Sequence, residues 1–306
     1  MKFVIPNFWR KNSLATYLLL PFTIITTLII FLKKNKNPYV PKINSICIGN
    51  IYLGGTGKTS LVVKINEILK EKYKTFVIKK YYKNQIDEQR LLDRKTKLIL
   101  PENRIQGIQQ IENSTKNIAI FDDGLQDKTI NYKNSIVCFN SYSGIGNGRI
   151  LPAGPLREKL AELKKYNAVF INGETNIFLE KQLKYYKKNI KIFRGKYILK
   201  NKRTFDLKKK YLAFCGIGTP ESFFKLLEDN GIKIENKIIF PDHFNYNSTD
   251  IRDIKRMALK RKLKIVTTEK DYMKIYKFRN INVNVAKVDL KIDKFQDFRK
   301  FLIRYL

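Results

Sequence analysis

A glycine-rich segment, NIYLGGTGKTS (residues 50–60), carries the residues whose spacing most clearly predicts phosphate chemistry. It follows the short apolar run SICI and precedes a stretch in which apolar residues recur at helical spacing. Glycines let backbone N–H groups close around an anion, and the start of a helix adds a partial positive charge. Lys58 would reach the outer phosphates of a nucleotide, and the Thr59 hydroxyl would bind Mg²⁺. The strict phosphate-loop pattern has glycine where this chain has Tyr52, but the glycines nearest the phosphates are present.

Two consecutive carboxylates, Asp122 and Asp123, follow the apolar run NIAIF and precede a glycine. Taken alone, an Asp-Asp-Gly sequence after a strand is most often an ordinary turn. Because the carboxyl ends of parallel strands lie beside a phosphate loop, acids at this position can bind the Mg²⁺ that accompanies a nucleotide. With the GKT loop upstream, we favour a metal-binding role for both aspartates.

A glycine- and proline-rich segment, GIGNGRILPAGPLREK (residues 144–159), carries further charged candidates. A structural loop is the ordinary interpretation of such a composition. Arginines held on a rigid loop are also good phosphate ligands, so Arg149 and Arg157 are candidate substrate contacts. Glu158 is a candidate for an additional carboxylate at the Mg²⁺ site.

The single histidine, His243, stands in the sequence FPDHF just after an apolar run. A lone histidine is more often structural than catalytic, but no other side-chain type has an ordinary pKa so close to neutrality. Transfer of phosphate to a hydroxyl group needs a proton acceptor, often with a second group that orients it. Asp87, in NQIDEQRLL, is a candidate for that acceptor, and the alternative is a helix N-cap.

The chain of 306 residues is strongly basic, with 61 Lys and Arg against 27 Asp and Glu and a formal net charge of +34. This excess favours polyanionic partners: nucleic acid, an anionic membrane surface or a phosphorylated substrate. The alternative is a compositional excess spread over solvated faces, because no short window concentrates the charge. Cys47, Cys138 and Cys215 lie in separate apolar runs, which indicates buried thiols in a reducing compartment.

Residues 14–32 form an apolar run of 19 positions without a charge, LATYLLLPFTIITTLIIFL. As a helix it would extend over about 28 Å, close to the hydrocarbon thickness of a bilayer. Basic residues flank it on both sides and no small-residue cleavage site follows, which disfavours a cleaved signal peptide. We predict a membrane-associated helix that either spans the bilayer or lies in its interface. The nucleotide loop would then lie on the cytoplasmic face, because ATP is cytosolic.

The elements that must position these residues follow from the alternation of short apolar strands with helical stretches. Near-continuous apolar runs predict parallel strands covered on both faces, near 45–49, 75–79, 97–100, 117–121, 135–139 and 168–172. We therefore predict an α/β fold: a P-loop NTPase-like parallel sheet lobe and a smaller C-terminal α/β lobe, preceded by the membrane helix. The predicted boundaries are 1–33 for the helix, 34–192 for the first lobe, 193–211 for a linker of two exposed strands and 212–306 for the second lobe. Within the second lobe, a helix is predicted near 220–229.

Seven sequence segments occur in the order found in tetraacyldisaccharide 4'-kinases, and over residues 45–275 the chain resembles that family. The segments are CIGNIYLGGTGKTS, DEQ, FDDGLQD, GNGRILPAGPLRE, FCGIGTPESFF, FPDHF and TTEKDYMK. The resemblance implies an ATP- and Mg²⁺-dependent kinase of the inner (cytoplasmic) membrane. Its substrate would be a tetraacyl glucosamine disaccharide 1-phosphate, a lipid A precursor, which it would phosphorylate at the 4'-hydroxyl to give the 1,4'-bisphosphate.

The resemblance also assigns roles to individual residues. The phosphates of ATP would be bound by the loop residues Tyr52, Leu53, Gly54, Gly55, Thr56, Gly57, Lys58 and Thr59. The metal site would comprise Thr59, Asp122, Asp123 and Glu158. Catalysis would involve Lys58 and Asp123, with Asp87 accepting the proton of the sugar hydroxyl and His243 supporting it.

Two segments depart from the family pattern. KKYY (79–82) stands where the family has an arginine-glycine-tyrosine string, so the arginine's contact to the substrate would pass to Lys80 or be absent. DDGLQD has Asp127 where the family has a histidine. Both departures concern details of substrate contact.

Two other functions have to be separated from the lipid kinase. A membrane-associated nucleotide-switch ATPase or GTPase acting on a protein partner would account for the phosphate loop and the apolar helix. It gives no role to Asp87, His243 or the LPAGPLRE loop. A nucleic-acid ATPase is suggested by charge alone, and the sequence lacks a localised stripe of basic and aromatic residues. We therefore predict a membrane lipid disaccharide and an anionic membrane surface as partners, without nucleic acid or an obligate protein partner.

Overall fold

The structure is a computed structural model that describes residues 6–32, 37–83, 85–278 and 281–306. The described residues form two compact units. The larger unit contains those of 6–81, Lys95–Lys196 and Ile292–Leu306, and the smaller unit contains those of Tyr82–Arg94 and Tyr197–Lys291.

Strands and helices alternate along most of the chain. The strands are β1 (Asn44–Gly49), β2 (Lys74–Lys79), β3 (Leu98–Ile99), β4 (Asn117–Asp122), β5 (Asn134–Asn140), β6 (Ala168–Asn172), β7 (Lys191–Leu199), β8 (Lys210–Cys215), β9 (Lys233–Ile239), β10 (Lys264–Thr268), β11 (Val283–Ala286) and β12 (Val288–Ile292). The α-helices are α1 (Leu14–Leu32), α2 (Lys58–Leu69), α3 (Ile86–Lys95), α4 (Arg104–Gln109), α5 (Ile177–Tyr186), α6 (Pro220–Asp229), α7 (Ser248–Lys260), α8 (Glu269–Ile275) and α9 (Phe295–Arg304). Short 3₁₀ helices occur at Asn7–Trp9, Leu160–Lys165 and Lys202–Thr204.

The larger unit is built on a sheet in which the strands follow the order β7-β6-β5-β1-β4-β2-β3. The strands from β7 to β3 pair in parallel. Every residue of β4 and β5 is buried, as expected for parallel strands covered on both faces. The core of this unit includes Cys47, Phe121, Val137, Phe139 and Ile171.

The smaller unit is built on a parallel sheet with the order β11-β10-β8-β9. Successive side chains of a strand point to opposite faces of its sheet, so β8 contributes to two cores. Tyr211 and Ala213 pack in one cluster with Phe224 of α6. Leu212 and Phe214 pack in the other, which also contains Ile251 and Ile254 of α7.

The predicted α/β fold with a parallel sheet is confirmed, and the six predicted strands of the first lobe correspond to β1–β6. Helix α6 has the bounds predicted for it. The segment 193–211 differs from its prediction, because β7 and β8 belong to different sheets and are not a pair. The domain boundaries remain a prediction; the compact units group Tyr82–Arg94 with the C-terminal strands and Ile292–Leu306 with the phosphate-loop sheet.

Within the described part of the chain, no helix combines the length and the apolar character that crossing a membrane requires. The membrane helix of the predicted architecture therefore remains a prediction.

Candidate active site

The glycine-rich loop joins β1 to α2 in the larger unit, and α2 begins at Lys58. Gly57 caps this helix with φ +82°, a left-handed conformation that glycine adopts without a steric cost. Tyr52 is buried and forms an isolated bridge with Leu156. This pairing explains why the loop has a large side chain where the strict pattern has glycine. The remaining loop residues, Leu53, Gly54, Gly55 and Thr56, lie between this bridge and Gly57.

The segment 149–157 holds the phosphate loop from the other side. The Leu53 amide donates to the Pro155 carbonyl at 2.8 Å, and the Arg157 amide donates to the Ile51 carbonyl at 2.7 Å. These two hydrogen bonds join loops that lie far apart along the chain. As a result, the rigid proline-rich loop presents the Arg157 side chain beside the phosphate loop.

The structure brings Lys58, Thr59, Asp122 and Asp123 together, as predicted. The Thr59 hydroxyl lies 3.5 Å from Asp122 Oδ2. Lys58 Nζ is 3.1 Å from Asn50 Oδ1 and 3.6 Å from Asp123 Oδ1. These oxygens and the ammonium group surround the N-terminus of α2, where the backbone also favours an anion.

Asp122 has a partner that the sequence did not reveal. Lys79 Nζ lies 2.8 Å from Asp122 Oδ2, with 1% of the lysine side chain exposed and 0% of the aspartate side chain. The two residues are aligned in the parallel pairing of β2 with β4. A lysine closing an otherwise apolar strand was the signal for this contact. Lys80, the predicted substitute for the family's arginine if that contact is present at all, is half-buried and follows the strand.

Asp123 has a left-handed backbone, φ +57°, which aspartate tolerates better than most residues. Its carboxylate lies 3.3 Å from Arg157 Nη1. Its carbonyl accepts a hydrogen bond from Arg104 Nη2 at 2.7 Å. Asp123 is thus flanked by cations from α2, from the proline-rich loop and from α4.

Asp127, which departs from the family pattern, forms an ion pair with the buried Arg104 at 3.0 Å. Burial alone would raise the pKa of Asp127, but hydrogen bonds from Thr129 and the Arg104 guanidinium hold it below its ordinary value. Because Arg104 also binds the backbone of Asp123, Asp127 supports the position of that residue indirectly. Arg104 is a second residue that sequence reasoning missed.

Glu158 is buried, and neighbouring side chains engage its carboxylate. Its oxygens accept hydrogen bonds from the Tyr166 hydroxyl at 2.9 Å and from Gln126 Nε2 at 2.7 Å. Burial, and then the Glu158 charge, raise the pKa of Tyr166, so this phenol remains a donor. Across the residues that the structure describes, no three His, Cys, Asp or Glu side chains form a group that could hold a metal by themselves. Mg²⁺ sites of kinases typically need only one or two carboxylates plus the nucleotide phosphates.

In the smaller unit, Asp87 and His243 meet as predicted. Asp87 lies in the first turn of α3 and is buried, and its Oδ1 is 3.1 Å from His243 Nδ1. This contact is a hydrogen bond when the histidine carries a proton on Nδ1. The N-cap alternative for Asp87 does not hold, because the residue lies within the helix.

Two lysines of α8 surround the same carboxylate. Lys274 Nζ lies 3.1 Å from Asp87 Oδ2 and Lys270 Nζ lies 3.8 Å from it. Lys270 also contacts Glu88 at 3.1 Å. Burial would raise the pKa of Asp87, but the His243 hydrogen bond and the two ammonium groups hold it far below its ordinary value. Asp87 is therefore a carboxylate throughout the physiological range. Spacing by one helical turn places both lysines on one face of α8, a signal present in the TTEKDYMK segment.

The remaining predicted substrate contact, Arg149, has an exposed side chain in the proline-rich loop. Its carbonyl accepts the Leu156 amide at 3.0 Å, which helps to close that loop. The substrate roles of Arg149, Arg157 and Lys80 remain predictions.

The chain is similar to known kinases. A family model described as tetraacyldisaccharide-1-P 4'-kinase matches residues 15–306. A tetraacyldisaccharide 4'-kinase of Pelagibacter ubique is 43% identical over 309 residues, covering 99% of this chain and 98% of the relative. One of Rickettsia akari is 31% identical over 311 residues, covering 95% and 94%.

A solved structure shares the fold. It is described as the "apo" form of LpxK from Aquifex aeolicus in complex with ATP. The TM-score is 0.71 at 23% sequence identity, with 95% of this chain and 99% of that chain covered.

Proposed function

The chain belongs to the tetraacyldisaccharide-1-P 4'-kinase family and transfers phosphate from ATP to the 4'-hydroxyl of a lipid A precursor, and we propose how its residues divide this reaction. The observation that carries the proposal is the meeting of Lys58 and Thr59 with Asp122 and Asp123 at the start of α2. The larger unit would bind the nucleotide, and the smaller unit would supply the proton acceptor.

On the nucleotide side, the loop amides and Lys58 would bind the phosphates of ATP, and Arg157 would add a second cation. Thr59 and Asp122 fit Mg²⁺, because a hydroxyl and a carboxylate oxygen lie 3.5 Å apart beside the loop. Bound there, Mg²⁺ would supply positive charge that offsets the negative charge developing on the transferred phosphate. Glu158 would act through Gln126, which contacts both Glu158 and Arg157.

On the acceptor side, Asp87 would accept the proton of the 4'-hydroxyl, and His243 would hold its carboxylate in place. A carboxylate with a lowered pKa is a weak base. A loose phosphoryl-transfer transition state, however, requires orientation of the hydroxyl more than strong basicity. Lys270 and Lys274 would keep Asp87 ionised and ready to accept the hydrogen bond.

We also propose that the enzyme is associated with the cytoplasmic face of the inner membrane through α1. Large apolar side chains of this helix are exposed, namely Leu14, Tyr17, Leu18, Phe22, Ile24, Ile25, Leu28, Ile29 and Leu32. Such a surface suits the interface of a bilayer that contains the lipid substrate. The net charge of +34 would favour anionic lipid headgroups.

The test is mass analysis of the lipid product after incubation with ATP, Mg²⁺ and the tetraacyl disaccharide 1-phosphate. We expect a gain of one phosphate on the distal sugar for the unmodified chain. Lys58→Ala, which removes the cation at the phosphates, should reduce the rate by about 10²-fold or more. Nucleotide hydrolysis that needs no lipid and gives no phosphorylated lipid would instead favour a nucleotide switch.

A further inference from the structure

Helix α5 carries large apolar side chains and lysines on its outer surface. The exposed fractions of Ile177, Phe178 and Tyr185 are 65%, 71% and 82%. Lys181 and Lys184 are also exposed. These positions recur at helical spacing, so they share one face of the helix. Aromatic and aliphatic side chains mixed with lysines are typical of a face that lies in the interface of an anionic membrane.

The opposite face of α5 packs against the larger unit. Leu179 and Leu183 are buried in the core of the larger unit. Glu180, the one acid in the sequence of α5, is paired with Arg194. Glu174, which precedes the helix, is paired with Lys196 at 3.5 Å. The lysines of the outer face therefore create a positive surface that acids on the helix do not neutralise.

A loop connects this face to the N-terminal segment. Asn176, the N-cap of α5, donates to the Ser141 carbonyl at 2.8 Å. In the same loop the Asn147 amide donates to the Trp9 carbonyl at 2.8 Å, just before α1 begins. Between these two contacts Tyr142 is 62% exposed. Trp9, which precedes α1, and the N-cap residue of α5 thus contact one loop, which itself exposes an aromatic ring.

We propose that the outer face of α5, together with Tyr142, is a second membrane-contacting surface that binds anionic phospholipid. This inference rests on the proposed membrane association through α1. The aromatic and aliphatic tips enter the interface, and the lysines bind the headgroups. A second point of attachment fixes the orientation of the larger unit on the bilayer, which a single helix leaves free to rotate.

Fluorescent labelling of the full chain tests this proposal, because the native cysteines are free and buried. Tyr185→Cys is labelled with an environment-sensitive dye and mixed with phosphatidylcholine vesicles with or without phosphatidylglycerol. Leu18→Cys in α1 and Leu259→Cys in α7, where the leucine is 78% exposed, are labelled as comparisons. We expect blue-shifted emission and quenching by spin-labelled lipid at positions 18 and 185 but not at 259.

The outcomes separate the two proposals. A response at position 18 without one at 185 would overturn the role of α5 and leave attachment through α1 intact. No response at either position would overturn both. If α5 binds a protein instead of lipid, vesicles will not change the emission of the probe at position 185, and the proposal is overturned.

A charge variant gives an independent measurement. Lys181→Gln and Lys184→Gln on the outer face, with Lys188→Gln at the exposed position just after the helix, should together weaken binding to phosphatidylglycerol vesicles by about tenfold or more, since each lysine contributes separately. Activity on detergent-dispersed substrate should not change. The matched control removes the same charge from exposed positions of the smaller unit, with Arg252→Gln, Lys260→Gln and Lys262→Gln. Equal losses in the two triple variants would show that only net charge matters and would overturn the proposed surface.

Discussion

Among single side chains, Asp122 connects the phosphate loop with the end of β2. Its Oδ2 lies 3.5 Å from the Thr59 hydroxyl and 2.8 Å from the buried ammonium of Lys79. A carboxylate this deeply buried requires a paired cation, because desolvation otherwise disfavours its charge. Lys79 therefore supplies the positive charge that the buried Asp122 carboxylate requires beside the proposed metal site.

Replacing Lys79 by methionine should destabilise the protein by about 3 kcal/mol, because it leaves a buried charge unpaired. Urea unfolding measures this loss, and Lys80→Met is the matched control, with an expected change within about 0.5 kcal/mol. Adding Asp122→Asn to Lys79→Met should recover part of the stability while transfer activity stays low. A single Lys79→Met variant as stable as the unmodified chain would rule out the ion pair as a stabilising contact.

Asp87 and His243 should act as one unit in the proposed reaction. Asp87→Asn should lower kcat by about 10²- to 10⁴-fold through loss of the proton acceptor. His243→Ala should cost less, and the double variant should be little slower than Asp87→Asn. ATP affinity, measured in parallel, should be retained by all three. Multiplicative losses would mean that the two residues act separately.

The lowered pKa of Asp87 predicts a dependence of stability on pH. Because its folded pKa lies below the unfolded value, the unfolded chain takes up this proton first as the pH falls. The stabilisation is therefore complete above the ordinary aspartate pKa of about 3.9 and is lost as the pH falls toward the folded value. Between about pH 5 and pH 2, unfolding free energy should fall more steeply in the unmodified chain than in Asp87→Asn. The exposed Asp253→Asn serves as the control, and equal slopes for Asp87→Asn would contradict the prediction.

Among the elements, the contact between the phosphate loop and the proline-rich loop explains the departure at Tyr52. The side chain is buried and its backbone bridges to Leu156, so it belongs to the core of the larger unit. Tyr52→Gly, which restores the strict motif, should lower stability by about 3 kcal/mol and weaken ATP binding. Tyr52→Phe should retain both properties. Calorimetric titration with ATP and urea unfolding measure the two effects, and improved ATP binding in Tyr52→Gly would refute the role of this packing.

The elements that sequence could predict are those that local pattern determines. Continuous apolar runs predicted β1 to β6, and the glycine loop predicted the start of α2. The ion pair of Lys79 with Asp122 depends on the register of β2 against β4, which the local pattern does not contain. The spacing of Lys270 and Lys274 places them on one face of α8. The sequence does not show that this face lies against Asp87 of α3, which is where the two ammonium groups are found.

At the scale of the whole molecule, the N-terminal segment is part of the larger unit as well as a proposed membrane contact. Trp9 is buried, and its indole donates to the Pro152 carbonyl at 2.9 Å. The Thr26 hydroxyl of α1 donates to the Leu151 carbonyl at 2.6 Å. The segment therefore supports the same proline-rich loop that holds the phosphate loop. A change in the N-terminal segment should therefore affect both membrane binding and the stability of the larger unit.

Deleting residues 1–32 should consequently lower membrane binding and stability together, since it exposes the surface that Trp9 covers. Substituting only exposed positions of α1, with Leu14→Gln, Leu18→Gln, Ile24→Gln and Ile25→Gln, should lower vesicle binding by about tenfold or more and leave the urea midpoint unchanged. Vesicle sedimentation and urea unfolding are measured on both variants. Undiminished sedimentation of the substituted protein would refute the membrane contact, because four exposed apolar side chains of α1 would have been replaced by polar ones. An unchanged urea midpoint in the deletion variant would show that Trp9 and Thr26 add nothing to the fold, and α1 would then be an attachment alone.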